Sequence, residues 1–98
     1  MKILIVVPKP GTNLKSALVS KELELRGRGT TFYQERRGKW KHTTYPGWIN
    51  LSQASKDMLI AKVQTKKEGE EWKLLSAFIG YIDRHFADAV DSISIYYR

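Results

Sequence analysis

The 98 residues contain no cysteine, so neither a disulfide nor a thiolate metal ligand is available. A reducing, cytoplasmic setting is the expectation that follows. Only two histidines occur, about 40 residues apart, with no His-x-x-x-His spacing and no paired carboxylates beside them. That leaves no recognisable metal site, and no cofactor is expected. No apolar run approaches the roughly 18 residues of a membrane span. The opening run Ile3-Leu4-Ile5-Val6-Val7 is too short for a signal peptide and lacks a small-residue cleavage site, so it reads as a strand. A Gly-x-Ser-x-Gly elbow is missing as well. The loop Pro8-Lys9-Pro10-Gly11-Thr12-Asn13 could offer backbone amides to a phosphate. It lacks the Gly-Lys-Ser/Thr of a phosphate loop, and ordinary helix capping is the simpler reading.

What is present suffices for one domain, residues 1–98, since dividing a chain of this length would leave two undersized cores. Apolar residues make up 42 % and charged residues 28 %. The net charge of +7 is unevenly placed. Residues 1–42 hold ten Lys/Arg against three acids, whereas residues 43–98 hold seven of each sign. Such asymmetry suits a phosphate-bearing or otherwise acidic partner, although solubility alone can account for a charge of this size.

Period and punctuation then give the elements. Lys2–Val7, apolar on both faces and stopped by prolines, predicts a central strand. Thr12 or Asn13 caps a helix over about 13–25, with Leu14, Ala17 and Leu18 on one face. Thr30–Arg36 and Lys39–Thr44 read as a hairpin about Arg37-Gly38, and Trp48–Leu51 resumes extended structure after Pro46-Gly47. Ser52–Asp57 reads as a polar loop and Met58–Thr65 as a strand, with Leu59, Ala61 and Val63 on one side. Glu70–Phe86 predicts an amphipathic helix whose arc takes Trp72, Leu75, Phe78, Ile79, Ile82 and Phe86. Ser92–Tyr97 alternates as a last strand. This order predicts an α+β two-layer sandwich, with two helices on one face of a mostly antiparallel sheet of about five strands. In topology that is ferredoxin-like with an added strand. No stretch is long or specific enough to carry a family resemblance.

Chemistry concentrates in Arg36–Asn50. Unpaired bases stack on flat rings, and phosphates need Lys or Arg at several points. The candidate nucleic-acid-binding set is therefore Arg26, Arg28, Tyr33, Arg36, Lys39, Trp40, Lys41, His42 and Trp48, with single-stranded RNA or DNA as the partner. The period of two puts Trp40 and His42 on one face of their strand and Lys39 and Lys41 on the other. A groove combining rings and charges must then draw on neighbouring segments. The bland alternative is that these aromatics pack the core. A second function reading is a self-associating module, a homodimer through the sheet with no nucleic-acid role. The third is a small RNA-cleaving enzyme using His42 as general base, which needs a second acid–base group. His85 lies at the edge of the helical arc and points away from Asp83, so it reads as a packing residue.

Overall fold

The computed structural model describes residues 1–55 and 57–97. Strands β1 (Lys2–Pro8), β2 (Phe32–Arg36), β3 (Lys39–His42), β4 (Trp48–Ser55), β5 (Met58–Gln64) and β6 (Val90–Tyr97) are joined by helices α1 (Leu14–Leu25) and α2 (Glu71–Phe86) and by loops. They form one sheet of six strands in the order β2-β3-β4-β5-β1-β6. Every neighbouring pair is antiparallel. Strands β6-β1-β5-β4 with the two helices make the split βαβ arrangement, and the β2–β3 hairpin, inserted after α1, lengthens the sheet beyond the expected five strands. The sheet is thus one strand wider than the sequence suggests, and β1 lies inside it, between β5 and the edge strand β6, with only one of its two apolar faces fully buried.

Both helices cover the same face. Helix α1 packs on β2 and β4, and α2 on β5 and β1. Along β1, β4 and β5 the residues turned to the helices are buried: Leu4 and Val6, Ile49 and Leu51, and Leu59, Ala61 and Val63. Phe32 and Trp40 extend this core outward through the hairpin, meeting Leu14, Leu18, Leu74, Phe78 and Ile82 from the helices. Asn13 caps α1, its Oδ1 accepting from the Ser16 N–H at 3.1 Å. The start of α2 is fixed differently. Glu71 is buried, and its carboxylate accepts from the Gly69 N–H at 2.7 Å and the Thr65 hydroxyl at 3.1 Å, with Lys2 Nζ 3.6 Å away. Burial pushes this carboxyl up, but the backbone N–H groups, Thr65 and Lys2 outweigh it and bring its pKa down to about 2.

Two expectations change. Residues 52–55 belong to β4 and are not loop; they pair with β5 as Ser52↔Ile60, Gln53↔Leu59 and Ser55↔Met58. Their polar side chains are exposed, so the neighbouring backbone decides the conformation and side-chain hydropathy does not. Lys56, in the same expected loop, lies outside the described residues. On α2 the buried arc is rotated: Leu74 and Tyr81 are buried, whereas Trp72 is 50 % exposed. The ring of Tyr81 is drawn inward by edge contact with Phe32, their centroids 5.3 Å apart.

Candidate nucleic-acid interface

The face of the sheet turned away from the helices is uncovered, and register partners on adjacent strands share a face. One row across it runs Arg36–Lys39–Asn50–Lys62–Ile3–Tyr96, traced through the pairs Arg36↔Lys39, Lys39↔Asn50, Asn50↔Lys62, Ile3↔Lys62 and Ile3↔Tyr96. The next row holds Tyr33↔Lys41 and Trp48↔Gln64. Continuing the β3–β4 register sets Lys41 beside Trp48. Tyr33 and Trp48 are both half-buried and outside the core, so their rings remain partly available. Arg36 reaches this face because a bulge between Gln34 and Arg36 shifts the register and sets Arg36 against Lys39.

The electrostatics are mixed. Glu35 lies 3.6 Å from Lys39 Nζ and 3.4 Å from Lys41 Nζ. Desolvation raises its pKa, but hydrogen bonding and charge from Lys41 and Lys39 outweigh that and hold it below the usual 4.5. Lys39 Nζ also sits 5.3 Å from the centre of the Trp48 ring, a cation–π contact. Beside Trp48 a groove of about 300 Å³ opens between Lys41, Pro46, Lys66, Lys67 and Glu70. Glu35 thus offsets only part of the charge of Arg36, Lys39, Lys41 and Lys62, and the region is cationic.

Of the nine candidate residues the structure brings Tyr33, Arg36, Lys39, Lys41 and Trp48 together here. Four lie elsewhere. Trp40 is 1 % exposed and fills the core, where it offers no ring to a ligand. Arg26 is engaged on α1, its guanidinium donating to both oxygens of the buried Glu22 at 2.7 and 2.9 Å. Arg28 is exposed in the loop after α1. His42 faces the helix side, where its ring meets Phe32 edge-on at 4.8 Å and stacks on Tyr45 at 4.6 Å. Lys62, Lys66, Lys67 and Tyr96 fall outside the candidate set. Alternation in β5 and β6 does place Lys62 and Tyr96 on this face, but the balanced charge of residues 43–98 gives no reason to single them out.

His42 has a local task. Its Nδ1 accepts from the Thr44 and Tyr45 N–H groups at 2.9 and 3.0 Å, so it organises the loop before Trp48. Burial lowers its pKa below 6.5, in keeping with a neutral ring accepting at Nδ1. It lines a cleft of about 490 Å³ with Tyr45, Ser76, Tyr81 and Arg84, and no carboxylate among the described residues lines that cleft. The Tyr81 hydroxyl is buried without a hydrogen-bond partner in the described residues, and burial raises its pKa above 10.0. His85 is half-buried, edge-on to Tyr81 at 4.7 Å, while Asp83 is exposed. Among the described residues no three of His, Asp and Glu gather as a metal site requires, and no helix is long and apolar enough to cross a membrane.

No protein-family model matches this chain, and no curated protein or solved structure shows a significant match to it.

Proposed function

We propose that the protein binds single-stranded nucleic acid across the bare face of the β2–β3–β4–β5 half of its sheet. The observation that carries this is the grouping of two part-exposed rings, Tyr33 and Trp48, with Arg36, Lys39, Lys41 and Lys62 on one surface. Rings that stack on bases and cations that meet phosphates are what an unpaired strand requires, and a sheet backed by helices leaves its other face open to it. A strand occupying this face displaces Lys39 from the Trp48 ring and exchanges that contact for a phosphate. The test is titration of a short single-stranded oligonucleotide, followed by tryptophan fluorescence at two salt concentrations. Contacts from four cations give a log–log salt slope near −3, so affinity falls roughly 50-fold between about 50 and 200 mM salt. Absence of binding at the lower salt would end this reading, because phosphate contacts are strongest there.

A second reading, self-association, is favoured by the adjoining β5–β1–β6 part of the same face, which shares β5 with the first surface. There Ile3, Ile5, Val7 and Ile60 are half-buried, Met58 is 36 % and Tyr96 50 % exposed, and Lys62 brings a single charge into their midst. Such surfaces commonly mark protein contacts.

A further inference from the structure

We propose that two copies of this chain join edge to edge through β6, continuing the sheet from one copy into the next. The inference rests on the self-association reading and deepens it by naming the edge of the sheet, and not its face, as the place of contact.

The two ends of the sheet are built differently. At one end β2 is five residues long, is interrupted by the bulge between Gln34 and Arg36, and carries the exposed charges Glu35 and Arg36. Short, bulged and charged edges resist pairing with another strand. At the other end β6 is eight residues long and pairs with β1 along its length, the register shift falling only at Val7/Pro8 near its start. It has no proline and no lysine, and its run Ser92-Ile93-Ser94-Ile95-Tyr96-Tyr97 contains no charge. Its outer main-chain N–H and C=O groups have no strand partner among the described residues. An extended edge whose one charge, Asp91, lies near its start is a template for an added strand.

The pattern of β6 also fits its own copy. In an antiparallel pairing with a two-fold axis at Ser94, Ile93 stands opposite Ile95 of the second copy and Ser92 opposite Tyr96. Asp91, the one acid in β6, falls opposite Tyr97. Partners then share a face and no like charges meet. Exposed aromatic surface flanks the edge: Tyr97 is 68 % and Tyr96 50 % exposed. Trp72, 50 % exposed, lies half a turn around α2 from Tyr81, which faces β2, and so occupies the flank away from that end. Aromatic side chains with their rings in water are the kind enriched in buried interfaces. The joined sheet would also bring the aliphatic halves of the two bare faces together at the seam.

Sedimentation of the whole chain without nucleic acid, from low micromolar to near-millimolar concentration, tests the inference. The expected species is a dimer. Ser94→Lys and Ser94→Glu each weaken it on the order of 100-fold by setting like charges at the axis, while far-UV circular dichroism stays unchanged. Mixing the two variants in equal amounts restores a dimer, which loss of folding could not do. Ile60→Lys, on the bare face away from the edge, leaves dimerisation intact. A dimer that survives both Ser94 variants and is lost in Ile60→Lys overturns the edge assignment and leaves self-association through the face. A strict monomer across the whole concentration range overturns both. Neither outcome bears on oligonucleotide binding, which is read separately.

Discussion

Strands β3 and β4 each carry a tryptophan, and the two rings end on opposite sides of one sheet. Trp40 is 1 % exposed beneath the helices, in register with Ile49; Trp48 stands half-buried on the bare face, in register with Gln64. Residue type does not distinguish them. Their difference comes from parity along the strand and from the loop between them. Gly47 has φ +103°, and a Cβ added there would run into the Gln64 carbonyl oxygen and the Thr65 methyl, so this loop closes only around a glycine. Its return sets Ile49 under the helices and Trp48 outside. The same alternation sends Lys39 and Lys41 outward. One face of this region thus serves stability, and the other is left outside the core.

The largest effect that separates the two faces is in stability. Trp40→Ala leaves a cavity in the core and costs about 3–5 kcal/mol in chemical denaturation, a large fraction of what a domain of this size possesses. Trp48→Ala costs about 1 kcal/mol. In oligonucleotide binding the expectation for Trp48→Ala is a loss of about 1–3 kcal/mol, as for one stacked base. Equal stability losses at the two positions would contradict the assignment of faces, whatever happens to binding.

The basic residues divide in the same way, with a smaller effect. Arg26→Ala leaves the Glu22 carboxylate, 2 % exposed, without its hydrogen-bonded partner, and costs about 1–3 kcal/mol of stability. The guanidinium itself is largely exposed, so water recovers part of the loss. Oligonucleotide affinity and its salt slope stay unchanged. Lys41→Ala has the opposite profile: stability within about 0.5 kcal/mol of the parent, and a salt slope smaller by about 0.7. If Arg26→Ala reduces the slope and Lys41→Ala does not, the binding surface lies on the helix side of the molecule.

How far the sequence carries this picture depends on the range of the interaction concerned. Local signals are sufficient for several elements. The proline-stopped run of β1, the Asn13 cap, the Arg37-Gly38 turn and the alternation of Leu59, Ala61 and Val63 all have counterparts in the fold. The opposed ring and charge faces of β3 are legible for the same reason, since a period of two needs no knowledge of neighbours. Residues 52–55 are not legible, because their strand exists through pairing with β5. Nor is the burial of Tyr81 in place of Trp72, which depends on Phe32 arriving from a distant segment. The candidate surface is partly legible: Tyr33, Arg36, Lys39, Lys41 and Trp48 can be named, but their grouping with Lys62 requires the strand order. Arg26 and His42 have the right chemistry in the sequence and acquire partners, Glu22 and a loop backbone, that only the fold supplies.

The smallest effect is in pH, and it sharpens the comparison because neither histidine faces the bare surface. His42 accepts two backbone N–H groups at Nδ1, and burial lowers its pKa below the ordinary 6.5. His85 is lowered in the same direction, first by burial and then by Lys21 and Arg84. Each binds its proton less readily in the folded chain than in the unfolded one, so the unfolded chain takes up more protons as pH falls. The stability tied to these rings is therefore complete above about pH 6.5 and is lost as pH drops below that value through their folded pKa values. Melting temperature measured from neutral pH downward should decline first in this window, while carboxylates such as Glu71, with a pKa of about 2, remain ionised. His42→Gln should flatten part of the decline and leave the His85 share. Oligonucleotide affinity, measured at constant salt where the protein is fully folded, should stay level across the same window, since its cations keep their charge. An affinity that instead rises as the histidines protonate would move His42 from the core side of the comparison to the binding side.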